Sequence, residues 1–247
     1  MKGAGMRKGQ KAGLIMGMEA FFLLLTLLLG TVSHAICLEA ERPELYASMS
    51  RSAVSAFLGS DHPADISAYI GLDEAEQGVV AERLAAFMQG KSEQLPEQLN
   101  EREQVHMQDV RTLMGRLNRL SRVMIPISAF LAIALAWFSV KREKNIYRPI
   151  LIGLLASFLF GILASIFAAI HFDSVFYRLH ELLFTNDYGL MDPRRDILIR
   201  MMPETLFVTA GVHALKRALV EAAGILVLLS AIFFYMRRLI LRWMDKR

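Results

Sequence analysis

The sequence predicts an all-α polytopic membrane protein: four transmembrane helices, with a helical extracytoplasmic domain between the first and the second. Three observations carry that expectation. Hydrophobic residues make up 54% of the 247, with a mean hydropathy of +0.37. Four apolar stretches reach the roughly 20 residues that a bilayer core requires of a helix. Lys and Arg gather at alternate ends of those stretches, as they do when short loops alternate between the two sides of a membrane.

In chain order, a basic tail (residues 1–13, with Lys2, Arg7, Lys8 and Lys11) precedes a first span at 14–36, whose ionisable groups are Glu19 and His34. A basic start, an apolar run and Ser33-His34-Ala35 also resemble a cleavable secretory signal. The run is about twice the length of a typical signal core, which favours a retained helix. The second and third spans, 123–140 and 150–170, hold no ionisable residue, and the fourth, 218–236, holds Glu221. Lys141, Arg142, Lys144 and Arg148 lie in or beside the 141–149 loop. Arg237, Arg238, Arg242, Lys246 and Arg247 lie in the 237–247 tail. By the positive-inside rule both termini are cytoplasmic, leaving residues 37–122 and 171–217 outside. The net charge of +4 is then a membrane anchor rather than a nucleic-acid footprint.

The 37–122 domain reads as helical, with Pro63 and Pro96 as punctuation. Residues 73–88 space Val79, Leu84, Ala85 and Met88 along a helix that Gly90 can end. From residue 101, His106, Val110, Leu113, Leu117, Leu120 and Met124 form a narrow stripe at helical spacing, so one helix is expected to run from this domain into the second span. Asp109 follows His106 at i+3, where its carboxylate can hold one imidazole nitrogen. The plainer alternative is a packed core histidine. Cys37 is the one cysteine, which excludes an intramolecular disulfide and a Cys-rich metal site and suits a small buried group.

Residues 180–204, HELLFTNDYGLMDPRRDILIRMMPE, are polar, aromatic and turn-rich, yet lie between two spans. Short connections carry function disproportionately often. His171 and His180 are nine residues apart, about two and a half helical turns, so they face opposite ways. Beyond Phe184, Asn186, Asp187 and Gly189 favour turns, and Asp192-Pro193 ends any helix. A capped interfacial loop with Phe184 and Tyr188 at the membrane surface is the competing reading. Lys216 and Arg217 break the positive-inside pattern. They suit a lipid phosphate or an acidic partner at the outer surface, although Arg217 is also one turn from Glu221.

Two blocks resemble the bacterial lipoprotein intramolecular transacylase family, Lit, a set of four-helix integral membrane proteins. Residues 101–113, EREQVHMQDVRTL, look like the family's His-Met-x-Asp-Val pattern at His106, Met107, Asp109 and Val110. The second block is similar to the family's His, Leu-Phe, Asn-Asp, Asp-Pro and Asp-x-Leu-Ile pattern before a Pro. It is matched by His180, Leu183, Phe184, Asn186, Asp187, Asp192, Pro193, Asp196, Leu198, Ile199 and Pro203. One departure is Gly189, where a Trp is typical, with Tyr188 beside it.

The resemblance implies acyl transfer within one diacylglyceryl lipoprotein, from the glyceryl ester to the α-amino group of its N-terminal cysteine, giving the lyso form. It implies no cofactor and no metal, and its partners are such lipoproteins and membrane lipids. The nucleophile belongs to the substrate, so no activated Ser or Cys is needed. A neutral imidazole matches an α-amino group that titrates near pH 7.7–8. His106 and His180 are accordingly expected to act as a dyad at the outer face of the cell membrane. One would take the amine proton, while the other steadies the oxyanion and protonates the glyceryl oxygen. The sequence leaves open which does which. Asp109, Asn186, Asp187, Asp192 and Arg217 are candidates for orienting the dyad or the substrate. Two other classes compete: a metal-dependent membrane hydrolase with His106, Asp109, His180 and Asp187 as ligands, and a non-enzymatic lipid- or peptide-binding sensor. A cysteine-dependent N-acyltransferase is disfavoured, because Cys37 has no evident Glu and Lys partners.

Overall fold

A computed structural model of the chain describes residues 2–139 and 147–244, with side chains at 10–139, 147–168, 170–171 and 174–244. Lys141, Arg142, Lys144, Lys246 and Arg247, which the orientation argument uses, lie outside the described residues. Every regular element within them is helical. The order is α1 (Lys2–Ala40), a π-helical turn (Leu45–Met49) running into α2 (Ser50–Leu58), α3 (Pro63–Ile70), α4 (Glu74–Met88), α5 (Glu101–Ser139), α6 (Tyr147–Ile170), α7 (Phe172–Leu183), α8 (Ile197–Met201) and α9 (Glu204–Met244). The helices long and apolar enough to cross a membrane are α1, α5, α6 and α9, which agree with the four expected spans.

The chain divides into two compact units. One comprises residues 1–33, 119–172 and 218–247, and the other 34–118 and 173–217. In the first, small residues let helices approach closely, as is common where packing rather than hydrophobic burial joins membrane helices. A Cβ on Gly153 of α6 would overlap the Gly17 carbonyl oxygen of α1, so this crossing requires glycine. Buried Met16, Ala20, Leu23, Leu24 and Leu27 of α1 meet Ala132 and Leu135 of α5 and Ala222 and Leu229 of α9. Outward, α6 exposes Leu151, Leu155, Phe158, Leu159 and Leu163, the apolar surface a lipid environment rewards. The hydroxyls of Thr31, Ser128 and Ser157 donate to carbonyls of their own helices, at 3.0, 2.6 and 3.0 Å, so no partner outside the helix is needed.

The second unit has its own core, in which Val54, Ile70, Val80, Leu84, Phe87, Leu99, Met107, Leu198 and Leu206 pack together. Its helices start and stop on local signals. Asp73 caps α4 by accepting the Glu76 N–H at 2.8 Å, while the Glu76 carboxylate accepts the Asp73 N–H at 2.9 Å, a reciprocal capping box. Past Met88 the chain turns at Gly90, whose φ of 72° is the left-handed conformation expected of a residue that ends a helix. Cys37 is buried and its Sγ–H donates to the Met114 carbonyl at 3.3 Å, which is the structural role foreseen for it.

At the N-terminus of α5 a buried carboxylate ties distant parts of this unit together. Asn100 and Glu103 form a second reciprocal cap: the Glu103 carboxylate accepts the Asn100 N–H at 2.8 Å and Asn100 Oδ1 accepts the Glu103 N–H at 3.1 Å. The other Glu103 oxygen accepts the Leu198 N–H of α8 at 2.6 Å. Asn100 Nδ2 donates to Asp196 at 2.8 Å, and the second Asp196 oxygen accepts the Asp192 N–H at 2.7 Å. Glu103 and Asp196 are 1% and 2% exposed, so each hydrogen bond here replaces water that burial removed. Burial holds the Glu103 carboxyl above its ordinary value, against the Leu198 and Asn100 bonds that lower it.

Candidate active site

Three residues of α5, Arg102, His106 and Asp109, stand at i, i+4 and i+7 and so share one face of the helix. The turn after α7 lies along that face. Asn186 Nδ2 donates to Asp109 Oδ2 at 2.9 Å, and Asn186 Oδ1 accepts the Tyr188 N–H at 3.1 Å. The Arg102 guanidinium donates to the Asp187 carbonyl at 3.1 Å, stands 3.9 Å from the Asp187 carboxylate and lies over the Tyr188 ring at 5.2 Å. The Leu190 N–H closes the turn on the Asp187 carbonyl at 3.0 Å.

The turn carries Gly189 up to both histidines. A Cβ there would lie 2.8 Å from His180 Cδ2 and 2.9 Å from His106 Cε1, separations that side chains do not tolerate. Position 189 is therefore one where this chain has room for backbone alone. The aromatic ring next door, Tyr188, is taken up under Arg102.

His106 and His180 come together, their ring centroids 6.1 Å apart and their planes 22° from parallel. Phe184 touches both rings, at 5.1 and 5.4 Å, and Phe176 touches His180 at 4.0 Å. His180 Nδ1 is 2.9 Å from the Phe176 carbonyl, one turn back on α7. A carbonyl can only accept, so Nδ1 carries a proton, and in the neutral tautomer this selects, the lone pair lies on Nε2.

His106 is 8% exposed, and its Nδ1 is buried without a hydrogen-bond partner. Burial, reinforced by neighbouring His180, pushes its pKa down to about 4 against the opposing pull of Asp109. The neutral imidazole is thus the favoured form of His106 near pH 7.

The other sequence candidates fall into distinct places. Asp109 does not hold the His106 Nδ1, as its spacing suggested, but accepts from Asn186. Asp187 serves the turn through its carbonyl, and its carboxylate is largely exposed. Asp192 stands outside the pair: it accepts the Arg194 N–H at 3.0 Å and lies 3.7 Å from Arg195, organising the turn before α8. Arg217 lies 3.6 Å from the buried Glu39 carboxylate, which Arg42 also pairs with at 2.9 Å. The face of the site that sequence reasoning missed is Arg102, together with the Asn100–Glu103 cap. The Asn-x-x-Glu spacing directly before His106 was the available signal for the cap.

Among the described residues no three of His, Cys, Asp and Glu converge to hold a metal ion. Of the carboxylates named for a metal-dependent hydrolase, Asp109 accepts from Asn186, and that of Asp187 is largely exposed, 3.9 Å from Arg102. The pair is suited instead to proton transfer and to hydrogen bonding with a developing oxyanion.

The depressed pKa of His106 has a measurable consequence for stability. An unfolded histidine takes its proton near pH 6.5, but the folded site does so near pH 4, so between these values the unfolded state binds more protons. Stability then falls as the pH drops through that window, by up to about 1.4 kcal/mol per pH unit for this group. Thermal unfolding of the purified protein and of a His106→Asn variant should therefore diverge in pH response. The wild-type midpoint falls relative to the variant between pH 6.5 and 4, and two parallel curves would contradict the burial account.

The sequence model of the family described as lipoprotein intramolecular transacylase Lit matches residues 17–207. No curated protein matches the chain. Among solved structures, the in meso structure of the membrane integral lipoprotein intramolecular transacylase Lit from Bacillus cereus is similar. It is 20% identical with a TM-score of 0.62, over 91% of this chain and 98% of that one. Two variants of the same protein, with one histidine replaced by Arg or by Ala, give TM-scores of 0.59 at 18% and 20% identity. They cover 97% and 90% of this chain and 99% and 93% of theirs. These structures share the fold, and the family match extends over most of the chain. The chain belongs to the lipoprotein intramolecular transacylase family, Lit, and is an acyltransferase.

Proposed function

We propose that the His106–His180 pair is where this acyltransferase works, with His180 as the base and His106 as the oxyanion donor. The substrate is a diacylglyceryl lipoprotein whose own α-amino group attacks its own glyceryl ester. The observation that carries the assignment is the Nδ1–H of His180 held by the Phe176 carbonyl at 2.9 Å, beside a histidine that burial keeps neutral.

In this reading the free Nε2 of His180 takes the proton from the attacking amine as the N–C bond forms. A neutral His106 donates a ring N–H to the carbonyl oxygen as it becomes an oxyanion. When the tetrahedral species collapses, the C–O bond to glycerol breaks and the proton returns from His180 Nε2 to the glyceryl oxygen. The base thus returns the proton itself, whereas the expectation from sequence is that the partner histidine protonates the glyceryl oxygen. A neutral donor cannot surrender its proton without becoming imidazolate, so the shuttle belongs to His180. Holding amine and ester together in one molecule supplies much of the rate, since orientation alone can be worth about 7 kcal/mol or more.

Asn186 and Asp109 hold the turn beside the pair, and Asp187 contributes its carbonyl. Asp192 and Arg217, which make contacts away from the pair, support the surrounding fold. The Lys and Arg distribution supports cytoplasmic termini and a second unit on the outer face, where mature lipoproteins reside. Thiol labelling tests that placement. In a Cys37→Ser background, an impermeant maleimide should modify Ser52→Cys but not Lys11→Cys on intact cells, and the reverse result would invert the topology.

Mass spectrometry of a lipoprotein's N-terminal peptide tests the chemistry. Cells making the wild-type protein should yield the N-acylated lyso form. His180→Ala should lower its formation by about 10²- to 10⁴-fold, the usual worth of a general base, and His106→Ala by about 10²- to 10³-fold. Unchanged N-acylation in both variants would remove the pair from the mechanism.

A further inference from the structure

We propose that Arg102 is a positioning residue for the acyl transfer, clamping the turn at Asp187–Tyr188 so that the Gly189 main chain spaces the two histidine rings. This inference rests on the histidine-pair reading above. Arg102 precedes His106 by one turn on the same face of α5. It meets the turn in three ways: its guanidinium donates to the Asp187 carbonyl at 3.1 Å, stands 3.9 Å from the Asp187 carboxylate, and has its Cζ over the Tyr188 ring, 5.2 Å from the centroid. The same Asp187 carbonyl accepts the Leu190 N–H at 3.0 Å, so the clamp grips the atom on which the turn around Gly189 closes.

The next residue is within van der Waals reach of both rings, as the 2.8 and 2.9 Å separations of a hypothetical Cβ show. A displacement of this backbone changes the gap in which amine and ester must meet. Misplacement by about 1 Å can cost on the order of 100-fold in rate. An arginine suits the task because one planar group both donates to a carbonyl and stacks on an aromatic face, whereas a lysine ammonium offers a point charge. The hydrophobic core of the second unit is built from other residues, and the Arg102 side chain is 35% exposed. Its loss should therefore register in catalysis more than in folding.

The test uses the purified full-length protein and a synthetic diacylglyceryl lipopeptide, with kcat, KM and the thermal midpoint measured for each variant. Arg102→Ala should lower kcat by about 10- to 100-fold, with KM and the midpoint close to wild type, and added guanidinium ion should restore part of the rate. Arg102→Lys should fall between the two. Tyr188→Phe, which keeps the ring, should be near wild type, and Tyr188→Leu should lose part of the rate. Wild-type kcat in Arg102→Ala, with His106→Ala and His180→Ala inactive, would overturn this inference and leave the histidine pair standing. Activity in both histidine variants would remove the pair and this inference together. A rise in KM alone, or a rate loss matched by a lower midpoint and not rescued by guanidinium, would also overturn it.

Discussion

The docking of the 186–190 turn onto one face of α5 is the constraint on which the rest of the site depends. His106 belongs to α5 and His180 to α7, and nothing in either helix alone brings imidazole to imidazole. The turn does so at three successive points, with Asn186 on Asp109, Asp187 and Tyr188 on Arg102, and Gly189 against both rings. Each of the two hydrogen bonds involves a charged group, and such bonds are worth about 1.5 to 3 kcal/mol each. Together they fix a stretch of backbone whose position sets the histidine separation. The Glu103 knot supports the same helix end from behind, joining it to Leu198 and, through Asn100, to Asp196.

The two histidines are chemically unlike because their surroundings are unlike. His180 has one nitrogen engaged by a backbone carbonyl, which decides the tautomer of its neutral form. His106 has lost water without gaining a partner at Nδ1, so the charged form is the costly one. In the proposed mechanism, a base beside a donor that burial keeps neutral near pH 7 divides the labour of an intramolecular transfer. In that mechanism the substrate supplies the nucleophile, and what remains for the enzyme is to hold two ends of one substrate and move one proton between them.

The parts of this protein governed by composition were legible in its sequence. The four spans followed from apolar length, and the continuous α5 followed from the stripe that begins at His106. Helical phase set His180 against His171 on the assumption of one continuous helix, whereas the structure ends α6 at Ile170 and starts α7 at Phe172, leaving His171 exposed in the turn between them and against Phe167. Pairings between distant segments were not legible. Spacing offered Asp109 to His106, whereas folding gave it to Asn186, 77 residues away. Arg102 carried no signal of its own in the sequence, because its partners Asp187 and Tyr188 are brought to it by tertiary structure alone. Gly189 looked like a missing aromatic, and its meaning emerged once two rings were seen to flank it.

The central claim is that His106 and His180 form one site rather than two separately useful residues. The most direct measurement is the rate of lipopeptide N-acylation by purified His106→Ala, His180→Ala and the double variant. Residues that act as a unit are strongly non-additive, so the account predicts that the double variant is no slower than the slower single variant, within about threefold. A double variant whose loss equals the product of the two single losses would show that the histidines act independently, and would contradict the account.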